Sequence, residues 1–207
     1  MPSSAGPVTA RTAPVAGILL AAGTSSRMGS NKLLFELHGQ SVLRGAALRA
    51  VAAGLAPLHV VLGHQAEEAR TELDDIDCRV VLNREFEHGI TTSLIAGLSA
   101  LAPDVPAAVV LLADMPLVTA GMIADLVARY RVTGAPLVVS DYDGVHAPPM
   151  LYDRSLFAEL RSMTGESGCG RQVVKRHRSE AEVLQWPSAA LADIDVPADL
   201  ARMRDEL

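Results

Sequence analysis

Seven consecutive apolar residues, Ala107-Ala108-Val109-Val110-Leu111-Leu112-Ala113, run without any polar alternation. A strand with one face in water alternates, so a strand written this way is covered on both faces. That is the pattern of a parallel sheet sandwiched between helices. Ala16–Leu20, Leu58–Gly63 and Leu137–Val139 repeat it more briefly, and Cys78–Asn83 reads as a further strand. Between these runs the spacing turns helical. Ser41 is placed to cap a helix carrying Val42, Leu43, Ala46, Ala47, Ala50 and Val51 along one stripe, closed by Gly54. Gln65–Leu73 and Thr91–Leu101 read as helices, and Thr119 caps another with Met122, Ile123, Leu126, Val127 and Tyr130 on one side. Strands alternating with helices predict an α/β fold, a mostly parallel sheet with helices on both faces. Aromatic residues make up 3% of a chain that is 49% hydrophobic, so aliphatic side chains and alanine must fill the core.

The rhythm changes at Asp141. Asp143-Gly144 marks a turn, and Pro148-Pro149-Met150-Leu151-Tyr152 is expected to be an edge or irregular strand, because proline cannot donate to a ladder. A helix over Arg154–Ser162, a Gly-rich stretch from Gly165 to Gly170, Val183–Trp186, Leu191–Asp195 and a last helix after Pro197 complete the pattern. With 207 residues and no repeat or linker, residues 15–207 read as a single domain. Residues 1–14, rich in Ser, Ala, Pro and Thr, read as a disordered leader.

Composition narrows the partners. The net charge of −6 argues against nucleic acid or an anionic membrane. The longest apolar run, near Val105–Ala113, falls well short of the roughly 20 residues that span a bilayer. Cys78 and Cys169 stand far apart and form no CxxC, which speaks against structural zinc and for a reducing, cytoplasmic setting. Sixteen arginines accompany only two lysines, Lys32 and Lys175, so the setting of Lys32 draws attention.

Lys32 closes the segment Leu20-Ala21-Ala22-Gly23-Thr24-Ser25-Ser26-Arg27-Met28-Gly29-Ser30-Asn31-Lys32. Small residues after a strand let backbone amides approach phosphate oxygens, while Arg27 offers a planar fork and Lys32 a mobile charge. The segment matches neither G-x-G-x-x-G nor the Walker pattern, and it also reads as an ordinary strand-to-helix loop with solvated cations. Asp114, in Ala113-Asp114-Met115-Pro116, ends the most apolar strand. A hard carboxylate there suits Mg2+, or else it caps the following turn. In Asp193-Ile194-Asp195-Val196-Pro197, strand alternation would set both carboxylates on one face, for a metal or simply for solvent.

In this order the segments resemble the nucleotidyltransferases that finish the molybdenum cofactor, especially the molybdenum cofactor cytidylyltransferase branch of the MocA/MobA-like superfamily. The opening signature Leu-Ala-Ala-Gly-x-Ser-x-Arg-Met-Gly-x-x-Lys is met at Leu20–Lys32 without a gap. Gly-Met-x-x-Ser-Leu is similar to Gly89-Ile90-Thr91-Thr92-Ser93-Leu94, Asp-Met-Pro is Asp114-Met115-Pro116, and Asp-Ile-Asp-Thr-Pro is similar to Asp193–Pro197. The resemblance implies a three-layer, Rossmann-like nucleotidyltransferase fold. It implies transfer of CMP from CTP to a molybdopterin acceptor, with loss of pyrophosphate. It also implies that Leu20, Ala21, Ala22, Gly23, Gly63 and Ser93 hold the nucleotide, that Arg27 and Lys32 bind its phosphates, and that Asp114 and Asp195 ligate Mg2+.

The acceptor side departs from the family pattern. Its Gly-His-Pro or Gly-Pro-Pro element is replaced by Gly144-Val145-His146-Ala147-Pro148-Pro149, and Gly-Asp-x-Gly-Ala-Arg by Gly165-Glu166-Ser167-Gly168-Cys169-Gly170-Arg171. By the same resemblance His146, Pro149 and Arg171 contact the acceptor. His146 also reads as a turn histidine, and Cys169 either as a reactive thiol or as a buried spectator. A molybdenum hydroxylase apoenzyme would receive the product. The superfamily also includes an oxidoreductase of nicotine blue, so a co-opted redox enzyme and a non-catalytic cofactor carrier or chaperone are the alternative functions.

Overall fold

The computed structural model describes residues 12–24, 31–163, 170–194 and 199. The expected apolar runs form strands β1 (Ala16–Ala21), β4 (Leu58–Leu62), β5 (Arg79–Leu82), β6 (Ala107–Leu112) and β7 (Leu137–Tyr142). A small hairpin, β2 (Glu36–Leu37) and β3 (Gln40–Ser41), precedes helix α1 (Val42–Ala52). Ser41 Oγ accepts the Arg44 amide at 3.1 Å, so the expected cap is made. Helices α2 (Ala66–Thr71), α3 (Ile90–Ser99) and α4 (Ala120–Thr133) follow, with Thr119 Oγ1 accepting the Met122 amide at 3.2 Å at the start of α4. The chain continues through β8 (Val145–His146), β9 (Met150–Asp153), α5 (Phe157–Arg161), α6 (Arg171–Arg176) and β10 (Ala181–Gln185).

The strands build one eight-stranded sheet in the order β10-β7-β9-β6-β1-β4-β5, with β8 added to β7. β1 lies parallel to both β4 and β6, and β5 and β10 extend the sheet in parallel pairs. Alternate residues of each strand feed two buried clusters. Leu19, Val60, Val109 and Val138 pack beneath α1 and α4, while Ile18, Val61, Val110 and Val139 pack beneath α3 and α5. The result is the three-layer arrangement expected from the sequence, and no helix among the described residues is long and apolar enough to cross a membrane.

Two expectations are corrected. The Pro148–Tyr152 segment is not an edge: β9 runs in the middle of the sheet, antiparallel to β6 on one side and β7 on the other. The ladder begins at Met150, after the prolines, so neither proline is asked to donate to it. Their carbonyls are used instead, Pro148 O by the Tyr142 hydroxyl at 2.9 Å and Pro149 O by Ser140 Oγ at 2.6 Å. The Leu191–Asp195 segment, as far as it is described, is not a ladder strand: Ser188–Leu191 is a 3-10 turn and Ala192–Ile194 is irregular. The Ile194 amide donates to Asp114 O at 3.1 Å, which replaces a strand partner and leaves Ile194 buried while Asp193 faces out. The last helix lies outside the described residues, apart from Asp199.

Candidate functional site

After β1 the chain moves outward to β4 and β5, then returns across β1 to place β6 on its other side. The strand order therefore reverses between β1 and β6, and in open α/β sheets the crevice at such a reversal receives the ligand. The two strand ends are tied by the Ala113 amide, which donates to Leu20 O at 3.1 Å. A cavity of about 330 Å3 opens there, and Leu20, Ala21, Ala22, Gly23, Lys32, Ser93 and Asp114 all line it.

Lys32 Nζ sits 2.7 Å from Asp114 Oδ2, with the two side chains 13% and 25% exposed. Residues 82 positions apart thus meet at one point of the crevice. The lysine is placed by its neighbour: buried Asn31 accepts the Leu33 amide at 3.1 Å and opens the 3-10 turn Lys32–Leu34, while its Nδ2 donates to His64 O at 3.4 Å. Gly63 stays behind the wall. A Cβ there would lie 2.6 Å from Phe86 Cβ and 2.9 Å from Ala22 Cβ, so only glycine lets Phe86 close the cavity. Ser93 is fixed by buried Asn83, whose Nδ2 donates to Ser93 Oγ at 3.0 Å and Thr92 Oγ1 at 2.9 Å.

Helix α3 can carry these groups because it lies close on the sheet: a Cβ on Gly97 would fall 2.5 Å from Ile18 Cγ2. Beneath it His59 is buried, and that burial holds its imidazole below the ordinary value of 6.5. Its Nδ1 has no hydrogen-bond partner among the described residues.

The donors in the crevice suit a hard cation. Mg2+ takes one or two carboxylates and completes its shell with water and substrate phosphates, and Asp114 provides a carboxylate beside a cavity of triphosphate-sized volume. No group of three or more His, Cys, Asp or Glu placed to hold a metal ion occurs among the described residues. The Ile194–Asp114 hydrogen bond brings the chain to this point one residue before Asp195. Asp195 itself lies outside the described residues, as do Arg27, Glu166 and Cys169.

A second groove, also about 330 Å3, shares Leu20, Ile90 and Leu112 with the first cavity. Its floor is apolar, built by Leu94, Val110, Met150 and Tyr152, and His146 and Arg171 stand at its rim. Pro149 does not line it and serves instead as the carbonyl anchor for Ser140. His146 Nε2 lies 3.0 Å from Asp141 Oδ2, and the other oxygen of that carboxylate accepts the Gly144 amide at 2.8 Å. Trp186 Nε1 donates to Ser140 Oγ at 2.9 Å, and burial pushes the Tyr142 hydroxyl up to about 12. Gly170, at φ +84°, lies so close to the Tyr152 hydroxyl that a Cβ would collide with it, and Arg171 follows directly.

Sequence reasoning passed over Phe86, Asn83, Asn31, Ser140 and Asp141. Phe86 is one of only three phenylalanines and stands in the polar run Asn83-Arg84-Glu85-Phe86-Glu87-His88, which is the signal that could have found it. Asp141 carried no such signal, since acids beside a turn are ordinary.

A sheet whose order reverses beside a lysine–carboxylate pair has the architecture of an α/β nucleotidyltransferase. The pattern of the MobA-like NTP transferase domain matches residues 17–181, and the chain belongs to that family. Purine catabolism protein PucB of Bacillus subtilis is 28% identical over 199 residues, covering 91% of this chain and 95% of PucB. Nicotine blue oxidoreductase of Paenarthrobacter nicotinovorans is 30% identical over 167 residues, covering 74% and 78%. The bifunctional protein GlmU of Pelobacter propionicus is 35% identical over 130 residues, 60% of this chain, and the match spans only 28% of GlmU. The crystal structure of the Mycobacterium tuberculosis rv0371c homolog from mycobacterium sp. strain JC1 superposes with a TM-score of 0.80 at 27% identity, covering 95% of this chain and 96% of that one. Rv0371C of Mycobacterium tuberculosis H37Rv, crystallised as a complex with manganese, gives 0.75 at 25% identity, covering 94% and 100%.

Proposed function

We propose that this chain transfers CMP from CTP to a molybdopterin-type acceptor, releasing pyrophosphate, in the cytoplasm. The observation that carries the reading is the Lys32–Asp114 pair, 2.7 Å apart on the wall formed by Leu20–Gly23. Resemblance to the cytidylyltransferase branch favours CTP over GTP and a molybdopterin acceptor. A molybdenum hydroxylase apoenzyme is the proposed destination of the product.

In this reaction a terminal phosphate oxygen of the acceptor attacks the α-phosphorus of CTP. The new P–O bond forms as the bond from the α-phosphorus to the bridging oxygen breaks, and pyrophosphate leaves with the bonding pair. A phosphate nucleophile is already an anion, so no side chain has to remove a proton. The protein's part is positioning and charge compensation. Amides of Ala22 and Gly23 face the nucleotide, Lys32 and Arg27 hold its phosphates, and Ser93, fixed by Asn83, closes the opposite wall. Mg2+ held by Asp114 and Asp195 would supply further neutralisation of the triphosphate. His146, oriented by Asp141, and Arg171 hold the acceptor across the ridge of Leu20, Ile90 and Leu112.

The assay is pyrophosphate release from each nucleoside triphosphate with Mg2+ and molybdopterin. CTP is expected to give turnover that Asp114→Ala abolishes. Tight nucleotide binding with no pyrophosphate from any triphosphate would support a carrier or chaperone role instead. Similarity to nicotine blue oxidoreductase favours a second reading, a redox enzyme, which NAD(P)H oxidation with a quinonoid pyridine acceptor would reveal.

A further inference from the structure

Beyond the acceptor groove lies a third compartment of about 480 Å3. It shares His146, Met150 and Arg171 with the acceptor groove and no residue with the nucleotide cavity. The three compartments therefore follow one another, with the acceptor groove in the middle.

The polar wall of the third compartment is Arg171, Lys175, Arg178 and His146, and no Asp or Glu lines it among the described residues. In a chain of net charge −6 such a wall is a local reversal of sign. The neighbouring cations are already engaged, Arg176 Nη1 with Glu159 at 3.1 Å and His177 Nε2 with the other oxygen of Glu159 at 2.8 Å. Among the described residues Arg171, Lys175 and Arg178 make no ion pair. Arg171 and Lys175 are one helical turn apart, so they share a face of α6. Val173 is buried, and Val174 lines the compartment beside the two cations. Asp141 meets the compartment only through His146, because its second oxygen is taken by the Gly144 amide.

We propose that this cleft, which continues the acceptor groove, binds a dianion of the phosphate class. The inference rests on the acceptor groove assigned under Proposed function. Three like charges brought together with no counter-ion among the described residues repel one another, and a dianion relieves that repulsion more than a monoanion does. An arginine fork matches a tetrahedral oxyanion, and the lysine adds a point charge.

The test uses the full-length, 15N-labelled protein and inorganic phosphate, with acetate as the monoanion. Phosphate is expected to shift the backbone amides of Arg171, Lys175 and Arg178 saturably, at a concentration at least tenfold below that needed with acetate. The double variant Lys175→Gln/Arg178→Gln should lose this response, while its spectrum confirms that the fold is kept. No saturable shift, equal response to both anions, or a response that survives the double variant would overturn the proposal. Titrating CTP into the same samples separates the two readings. If Ala21–Gly23 fail to respond while the cleft still binds phosphate, the nucleotide assignment falls and the anion site stands.

Discussion

Around Lys32 and Asp114 the wall is made largely of strand ends and small residues, Leu20, Ala21, Ala22 and Gly23, with Phe86 beside them. Around His146 the wall is held by side chains: Tyr142 to Pro148 O, Ser140 to Pro149 O, Trp186 to Ser140, and His146 to Asp141. The first compartment inherits its geometry from parallel pairing that the whole sheet maintains. The second depends on a few buried hydrogen bonds, each of which can be removed singly. Chemistry common to a family sits well on the first kind of wall, and substrate choice on the second.

The largest expected effect separates the two compartments by activity. Asp114→Ala should lower the rate of nucleotidyl transfer by at least about a hundredfold, the scale of losing a preorganised charge-stabilising group. Phosphate binding in the α6 cleft should be unchanged, and a loss there would mean that the compartments are not independent. Gly170→Ala strikes the other side. The left-handed backbone alone costs about 1–2 kcal/mol in a non-glycine residue, and the collision with Tyr152 adds to it. Acceptor affinity should fall about tenfold, roughly 1.4 kcal/mol, with CTP affinity unaltered, as read by calorimetry with each ligand.

Ser140→Ala is smaller. It strands the Pro149 carbonyl and the Trp186 indole N–H, costing about 1–3 kcal/mol in a thermal melt. Because Trp186 is the only tryptophan, its fluorescence reports the change directly.

The smallest effects come from pH, and they fall at opposite ends of the scale. Burial lowers the His59 value, so the unfolded chain binds the proton more readily than the folded one. Stability is lost as pH drops below 6.5, by at most about 1.4 kcal/mol per unit, and His59→Gln should flatten that acid limb. Tyr142 is raised from 10.0 to about 12, so its contribution is present below pH 10 and is lost as pH rises to about 12. Tyr142→Phe should remove that alkaline limb. Acid thus probes the support of the Lys32–Asp114 cavity, and alkali the support of the His146 groove.

Much of this was legible in the sequence because its signals were local. Uninterrupted apolar runs gave the parallel strands, Ser41 and Thr119 gave helix starts, and one motif contained both Leu20–Gly23 and Lys32, which line the crevice. The apolar run of β7 stops at Val139, where the polar Ser140 and Asp141 follow. The strand continues to Tyr142 because those residues find partners at Pro149, Trp186 and Gly144. The Trp186–Ser140 bond joins positions 46 apart, and no local pattern announces it. β9 was misplaced for a related reason: prolines signalled an edge, but they stop one residue short of the ladder.

The position of β9 also bears on how the chain is made. A ribosome delivers β1, β4, β5 and β6 well before residue 150, so the strands that frame the crevice emerge before the strand that covers the flank of β6. During that interval Ala107–Leu112 presents an apolar backbone edge able to pair with another nascent copy. Slow or interrupted translation between Thr133 and Met150 would prolong that exposure, and with it the time in which β6 can pair with another chain.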